Sequence, residues 1–130
     1  MAAVEVRFHR NLGLAVGSAA HTVNVQIHKH PSAVALPSLL AQLGPGYFDW
    51  VYVDGSHQAA DVLFDAVLSL QLLRVGGVMV FDDYLWNGVH AGGLLDSPKI
   101  AIDAFTNVHA DKIRVLPAPL YQLYIVKTRD

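Results

Sequence analysis

The pattern of apolar and polar residues predicts strands at five places along the chain. Residues 22–27 alternate between apolar and polar side chains, which is typical of a strand with one buried face. Residues 48–53 and 78–81 are nearly continuous apolar runs rich in β-branched and aromatic side chains. Such runs indicate strands that are buried on both faces of a parallel sheet. Two closing strands are predicted at residues 113–116 and 120–126.

A long amphipathic helix is predicted between the two apolar runs, over residues 57–73. Its polar side would carry Asp61, Asp65 and Ser69, and its apolar side Leu63, Phe64, Val67 and Leu70. We expect Ser56 to cap its first turn, and Gly76 with Gly77 to end the helix before the next strand.

Three further helices are predicted, at residues 5–16, 33–43 and 97–109. The last of these begins with Ser97 and Pro98, a capping residue followed by a first-turn proline. Strands that alternate with helices of this length indicate parallel βαβ units. The sequence therefore predicts an α/β fold with a doubly wound sheet, in one domain over residues 1–130.

Composition narrows the classes of protein that fit. A chain of 130 residues has room for one domain, and with 53% hydrophobic and 15% charged residues it is too apolar to be disordered. A formal net charge of -2 without a basic cluster argues against nucleic-acid binding. The absence of cysteine excludes disulfides, zinc–thiolate sites and thiol nucleophiles. No apolar run is long enough to span a membrane and the first residues do not resemble a signal peptide, so we expect a cytoplasmic protein.

The candidate chemistry lies directly after the two apolar strands. Asp54 and His57 follow the first strand, and Asp82 and Asp83 follow the second. Ligands bind at the carboxyl ends of strands in open α/β sheets, because loops and helix N-termini converge there. Three carboxylates suit a hard cation such as Mg²⁺ or Ca²⁺. Histidine ionises near neutral pH, so His57 could instead act as a general base.

These residues also have a purely structural interpretation. Asp54 and Ser56 fit an ordinary strand-to-helix turn, and Asp82 with Asp83 could simply begin a polar loop. Spacing alone favours that structural role. His28 and His30 could bind a metal, although a solvated pair is the simpler interpretation, and residues 86–93 could form a substrate lid or a plain connection. No glycine-rich phosphate loop and no Gly-x-Ser-x-Gly elbow is present, which argues against a nucleotide-binding P-loop and a serine hydrolase.

The two segments around these strands resemble class I S-adenosylmethionine-dependent methyltransferases, especially the small-molecule O-methyltransferase-like group. The matching runs are FDWVYVDGSH at residues 48–57 and LLRVGGVMVFDDY at residues 72–84. Weaker similarity extends from about residue 8 to residue 127. The resemblance implies a Rossmann-like, mostly parallel sheet with an antiparallel C-terminal strand and the strand order 3-2-1-4-5-7-6.

The resemblance also implies roles for particular residues. Asp54, Asp82 and Asp83 would hold a cation such as Mg²⁺ or Ca²⁺, at which an acceptor hydroxyl loses its proton to His57. Asp54 thereby counts as catalytic together with His57. Ser32 falls in the segment on the adenine side of the cofactor, so Ser32 and Asp54 are the expected contacts to S-adenosylmethionine.

One part of the family pattern has no counterpart in this sequence. The family's glycine-rich loop after its first strand, and the acidic residue after its second, would both lie before residue 1. We therefore expect a truncated domain, the C-terminal two-thirds of such an enzyme, that binds S-adenosylmethionine weakly by itself. The strand at residues 48–53 would then expose an apolar edge, and we expect a homodimer to cover it.

Three functions are compatible with these observations. The first is a methyltransferase acting on a small-molecule hydroxyl. The second is a non-catalytic α/β module that oligomerises or binds a partner. The third, a metal-dependent hydrolase or lyase, has the least support, because the chain has a single Glu and no histidine pair at zinc spacing on a helix.

Overall fold

The computed structural model describes residues 2–86 and 93–130, which form four α-helices, one short 3₁₀ helix and four strands. The helices are α1 Ala2–Gly17, α2 Ser32–Leu43, α3 Ala59–Leu72 and α4 Pro98–Val108, with the 3₁₀ helix at Leu94–Asp96. The strands are β1 Phe48–Val53, β2 Leu73–Phe81, β3 Ile113–Val115 and β4 Leu123–Lys127. The four predicted helices and four of the five predicted strands are therefore confirmed. None of the described helices combines the length and the apolar character needed to cross a bilayer.

The strands form one mixed sheet with the order β1-β2-β4-β3. β1 and β2 are parallel, and β4 runs antiparallel to both β2 and β3. Three strands thus run in one direction and the C-terminal strand runs in the other, as predicted. The strand order β1-β2-β4-β3 corresponds to strands 4-5-7-6 of the order that the resemblance implies. Register places Val53 beside Phe81 and Phe81 beside Leu123, so the site-bearing ends of β1 and β2 lie next to each other.

The core lies between one face of the sheet and the helices α3 and α4. Its largest fully buried side chains are Phe81, Phe105, Leu73, Met79, Ile102 and Ile125. The rings of Phe81 and Phe105 meet edge to face, with centroids 5.5 Å apart. α2 packs against the outer side of α3, so that α3 is covered on several sides. This packing fixes where β2 ends, and hence where its terminal carboxylates stand.

β1 is exposed along much of its length, although the sequence predicts burial on both faces. Trp50 and Tyr52 are 57% and 37% exposed, and their rings stack with centroids 5.6 Å apart. β1 is an edge strand of the described sheet, so it has a neighbour on one side alone. The predicted apolar edge is therefore present. The prediction that both apolar strands are buried on both faces is correct for the end of β2 and wrong for β1.

The predicted strand at residues 22–27 is wrong, because residues 22–31 contain neither helix nor strand. Alternation favours a strand only where a neighbouring strand accepts its backbone hydrogen bonds, and no described strand pairs with this segment. Val23, Val25 and Ile27 are all exposed.

The buried face of α3 agrees in part with the predicted one, since Leu70 is buried and Val67 packs against the core, and differs at four other positions. Asp65 and Ser69 are buried, whereas Leu63 and Phe64 are more than a third exposed. α3 is in contact with the sheet, with α2 and with α4. Its small and polar side chains are therefore buried together with the apolar Val62.

The predicted helix boundaries need three corrections. Gly76 and Gly77 do not end α3: the helix passes into β2 at Leu73, and the two glycines lie inside an irregular part of that strand. Ser56 accepts a hydrogen bond from the backbone N–H of Gln58, one turn before α3, so it does not cap the helix itself. Ser97 occupies the cap position of α4 without making a side-chain cap, although the proline after it begins the helix as expected.

Candidate functional site

Three carboxylates meet at the carboxyl ends of β1 and β2. Asp54 and Asp82 are the next residues after the paired Val53 and Phe81, so the strand register itself sets them side by side. Asp54, Asp82 and Asp83 each offer a carboxylate oxygen within 4.8 Å of the other two. Within the described part of the chain, this is the one group of acidic or histidine side chains with metal-binding spacing.

Asp83 reaches this cluster because the backbone leaves the strand conformation there. Successive side chains in a strand point to opposite faces, which would separate Asp82 from Asp83. Asp83 instead has φ 54, in the left-handed region that Asp tolerates better than most residues. The turn brings both carboxylates to the same side of the sheet edge.

His57 joins the cluster through a hydrogen bond to Asp83. Its Nε2 lies 3.0 Å from Oδ2 of Asp83. An ionised carboxylate can only accept, so Nε2 donates in this contact, and in the neutral imidazole Nδ1 then keeps its lone pair. The imidazole also stacks on Trp86, with centroids 4.1 Å apart. The ring is therefore fixed on one edge and one face, with Nδ1 as the proton-accepting atom.

Asp82 is held from the other side by Tyr52 and Gln122. Hydrogen bonds from these two side chains lower the pKa of Asp82 below its ordinary value. The same bond to Asp82, reinforced by burial and by the charge of Asp82, raises the pKa of the Tyr52 phenol to about 12. Asp82 thus stays ionised and Tyr52 stays protonated across the physiological range.

The cleft beside the carboxylates has the size of an ion. Its free volume is about 10 Å³, close to what one water molecule or ion needs, and its walls include Gly55, His57 and Pro98. Opposite ligands lie up to about 4.2 Å apart around Mg²⁺ and about 5 Å around Ca²⁺. Carboxylate oxygens within 4.8 Å of each other are therefore near enough to serve together as ligands of one such ion after a small contraction.

A second, larger cleft lies between the N-terminal ends of α2 and α3. Its volume is about 450 Å³, within the range of small-molecule sites, and Ser32, Ser56, Asp65 and Phe64 are among its lining residues. Burial raises the pKa of Asp65, and Ser32 donates a hydrogen bond that partly opposes this effect. Ser56 lines both clefts, so the two are contiguous.

Residues 3–84 match the model of a family described as a methyltransferase domain. The chain belongs to this methyltransferase family. No curated protein matches the sequence.

A solved structure gives independent support for the fold of this methyltransferase domain. The crystal structure of a protein from Corynebacterium glutamicum matches 98% of the chain with a TM-score of 0.64 and 20% sequence identity. At that identity the likeness shows the fold. The chain covers 58% of that structure's length.

The methyltransferase domain brings together four of the five residues that the sequence singles out. Asp54, Asp82, Asp83 and His57 form one cluster. Ser32 stands apart from them, at the first turn of α2 in the neighbouring cleft. His28 and His30 are exposed and belong to no metal-binding group of the described residues. Of the possible lid at residues 86–93, residues 87–92 lie outside the described part.

Sequence reasoning missed two contributors to the site, Gln122 and Tyr52. Gln122 lies more than 60 residues from Asp54 in sequence and shares no motif with it. Gln122 could have been found from the antiparallel pairing of β2 with β4. Phe81 pairs with Leu123, and the next pair in the same register is Asp82 with Gln122.

The loop that carries Asp83 is anchored to α4. The hydroxyl of Tyr84 donates to Oδ1 of Asp103 at 2.8 Å, and Lys99 forms an ion pair with the same carboxylate. Burial of Asp103 is outweighed by these two partners, so its pKa is lowered. The backbone N–H of Tyr84 also donates to Tyr121 O at 3.1 Å, which fixes the loop to the segment before β4.

Proposed function

We propose that this methyltransferase domain, in its complete form, transfers a methyl group from S-adenosylmethionine to a hydroxyl group of a small molecule, at a divalent cation. The observation that carries the proposal is the convergence of three carboxylates within 4.8 Å, beside an imidazole whose Nε2 is already engaged. Asp54, Asp82 and Asp83 would hold the cation. A cation bound there lowers the pKa of a coordinated hydroxyl, which makes its oxygen a better nucleophile.

His57 would take the proton of the acceptor. Its Nε2 hydrogen is committed to Asp83, so the proton is received at Nδ1. The resulting imidazolium is stabilised by the carboxylate of Asp83 on one side and by the face of Trp86 on the other. Bound S-adenosylmethionine would supply the methyl group: the acceptor oxygen bonds to the methyl carbon as the carbon–sulfur bond breaks, leaving a methyl ether and S-adenosylhomocysteine.

The cleft at Ser32 is our proposed position for part of the cofactor. It adjoins the carboxylate cluster through Ser56, and it combines an apolar wall at Phe64 with hydrogen-bonding groups at Ser32 and Asp65. A small number of polar groups in an otherwise apolar cleft is typical of small-molecule sites. Asp54 would contact the cofactor from the cluster side.

Calorimetric titration with Mg²⁺ alone, and then with Ca²⁺ alone, tests the cation site. We expect binding to the unaltered chain and a loss of at least tenfold in affinity in Asp82→Asn, because one of three charged ligands is removed. Asp111→Asn is the matched control, since Asp111 is exposed and pairs with Arg129 away from the cluster. Equal affinities in the two variants, or no binding to the unaltered chain, would refute the cation site.

Titration with S-adenosylmethionine tests the cofactor position separately. We expect the dissociation constant to rise severalfold in Ser32→Ala and to be unchanged in Ser38→Ala, which removes a hydroxyl from the same helix. A methyl-transfer assay with a panel of small phenols and alcohols then identifies the acceptor.

A non-catalytic module that oligomerises is the second candidate function, and the exposed edge of β1 favours it. Trp50 and Tyr52 form an exposed aromatic pair on a strand whose outer backbone groups have no partner in the described sheet. We propose that two copies associate as a homodimer along this strand. Such edges promote association unless something covers them.

Sedimentation velocity at micromolar concentration tests the dimer. We expect a dimer for the unaltered chain and a monomer for Trp50→Lys, because a charge at the edge opposes pairing. Leu94→Lys is the control, since Leu94 is also exposed but lies in the 3₁₀ helix. A stable, soluble monomer of the unaltered chain at that concentration contradicts the dimer.

A further inference from the structure

The residues directly after β1 and β2 and directly before β4 form a row of polar side chains across the end of the sheet. Parallel register continues from Val53 and Phe81 to Asp54 and Asp82. Antiparallel register continues from Phe81 and Leu123 to Asp82 and Gln122. Asp82 therefore stands between a carboxylate on β1 and a carboxamide at the start of β4.

Both the NH₂ group and the oxygen of the Gln122 carboxamide form hydrogen bonds. Its Nε2 lies 3.0 Å from Oδ1 of Asp82 and 2.7 Å from the hydroxyl oxygen of Tyr52, and its Oε1 accepts from the hydroxyl of Tyr124 at 2.6 Å. An ionised Asp82 can only accept, so the NH₂ group must face it and the oxygen must face Tyr124. Tyr124 thus sets the orientation of the amide.

Tyr52 closes this arrangement. Its hydroxyl oxygen accepts one hydrogen of the Gln122 NH₂ group and donates its own hydrogen to Asp82. Asp82 then receives two hydrogen bonds from side chains that are themselves held in place. The backbone N–H of Asp82 donates to Val53 O at 3.0 Å, which also fixes the residue to β1.

We propose that Gln122 is a positioning residue for the cation site: it orients the Asp82 carboxylate so that its remaining lone pairs face the space shared with Asp54 and Asp83, where the cation would bind. This inference rests on the proposed function, because it assigns Gln122 a task only if a cation binds there. Side chains that orient metal ligands contribute about 10- to 100-fold to affinity although they do not touch the ion.

The test compares Mg²⁺ affinity with the thermal midpoint of the metal-free chain. Gln122→Met keeps the length of the side chain and removes its hydrogen bonds. We expect a loss of about tenfold or more in Mg²⁺ affinity, with a metal-free midpoint close to that of the unaltered chain, since Gln122 is not fully buried. Tyr124→Phe, which only frees the amide to rotate, should give a smaller loss in the same direction.

Gln71→Met is the matched control, because Gln71 is exposed on α3 at the other end of the sheet. If Gln122→Met binds Mg²⁺ as tightly as the unaltered chain and as Gln71→Met, the positioning role is wrong while the cation site stands. If the loss of affinity only accompanies a drop in the metal-free midpoint, the residue is structural and the proposal also fails. No Mg²⁺ binding by the unaltered chain overturns both the cation site and this inference.

Discussion

His57 and Asp83 lie 26 residues apart in sequence, yet Nε2 of His57 is 3.0 Å from Oδ2 of Asp83. The contact joins the loop after β1 to the loop after β2, so it exists only because those strands are parallel neighbours. It gives the imidazole one preferred tautomer, and it leaves Nδ1 free to take a proton.

The tautomer of His57 is directly measurable. For the neutral imidazole we expect the Nε2–H form to predominate in the unaltered chain, because a carboxylate at Asp83 can only accept. Asp83→Ala should bring the two tautomers closer to equal population, and Asp111→Ala should not. Long-range ¹⁵N–¹H correlation spectra distinguish the two forms. An unchanged tautomer ratio in Asp83→Ala would show that the contact does not orient the ring.

Asp65 should make stability fall as the pH rises. Burial raises the pKa of its carboxyl in the folded chain, so the unfolded chain loses this proton first. Folding stability from this group is therefore fully present below the ordinary carboxyl pKa and declines as the pH passes through the raised value. Asp65→Asn cannot ionise and keeps an oxygen for Ser32.

We accordingly expect Asp65→Asn to unfold at a higher temperature than the unaltered chain at pH 7, with the difference shrinking towards pH 3. Asp61→Asn, exposed on the same helix, serves as the control. Thermal denaturation followed by circular dichroism across this pH range measures both. A pH-independent difference would show that ionisation of Asp65 is not its cause.

Lys127 stabilises the junction between α3 and β2. Its side chain is 5% exposed, and Nζ donates to Leu70 O at 3.2 Å and to Leu73 O at 3.0 Å, with Asp130 as its ion-pair partner at 2.8 Å. Lys127→Met leaves two carbonyls at a helix end without this donor. A hydrogen bond to a charged group contributes about 1.5–3 kcal/mol, so we expect the loss of both bonds to lower the free energy of unfolding by at least that amount.

Urea denaturation of Lys127→Met and of Lys112→Met measures this effect. Lys112 lines the same cleft and is only half-buried. Similar losses in the two variants would mean that general charge, not the capping of α3, is responsible.

Position 77 requires glycine because Leu73 and Arg74 of the same strand lie too close to leave room for a side chain. A Cβ at this position would lie 2.7 Å from Leu73 Cδ1 and 2.9 Å from the backbone oxygen of Arg74. Backbone cannot move aside cheaply, so we expect Gly77→Ala to lower the free energy of unfolding by about 1–3 kcal/mol. Gly13→Ala in α1 meets nothing within 4 Å and should cause no loss. Chemical denaturation of both variants tests this, and equal stability would show that β2 adjusts freely.

The positions of the candidate ligands were predictable because they depend on where two apolar runs end. The two runs form parallel neighbouring strands, so the polar residues directly after them leave the sheet at the same edge. Asp54, Asp82 and Asp83 were found in this way. Periodicity could not predict the burial of Asp65, because one helix's pattern does not reveal how many elements surround it.

Two errors show what local sequence patterns cannot predict: a strand predicted wrongly at residues 22–27, and a site residue, Gln122, that was missed. The first has the local pattern of a strand, yet no described strand pairs with it. The second has no local signal, yet antiparallel pairing sets it against Asp82. In both cases the deciding interaction is with a segment distant in the sequence.

The amino-acid order alone determined the helices, the apolar strands and the acidic residues at their ends, since these follow from short-range periodicity and chain polarity. Tertiary structure decided which of those residues share one pocket, which imidazole nitrogen is free and which amide holds a carboxylate. Those outcomes depend on strand order and register, which are set by burial of the whole sheet against α3 and α4 and not by any single segment.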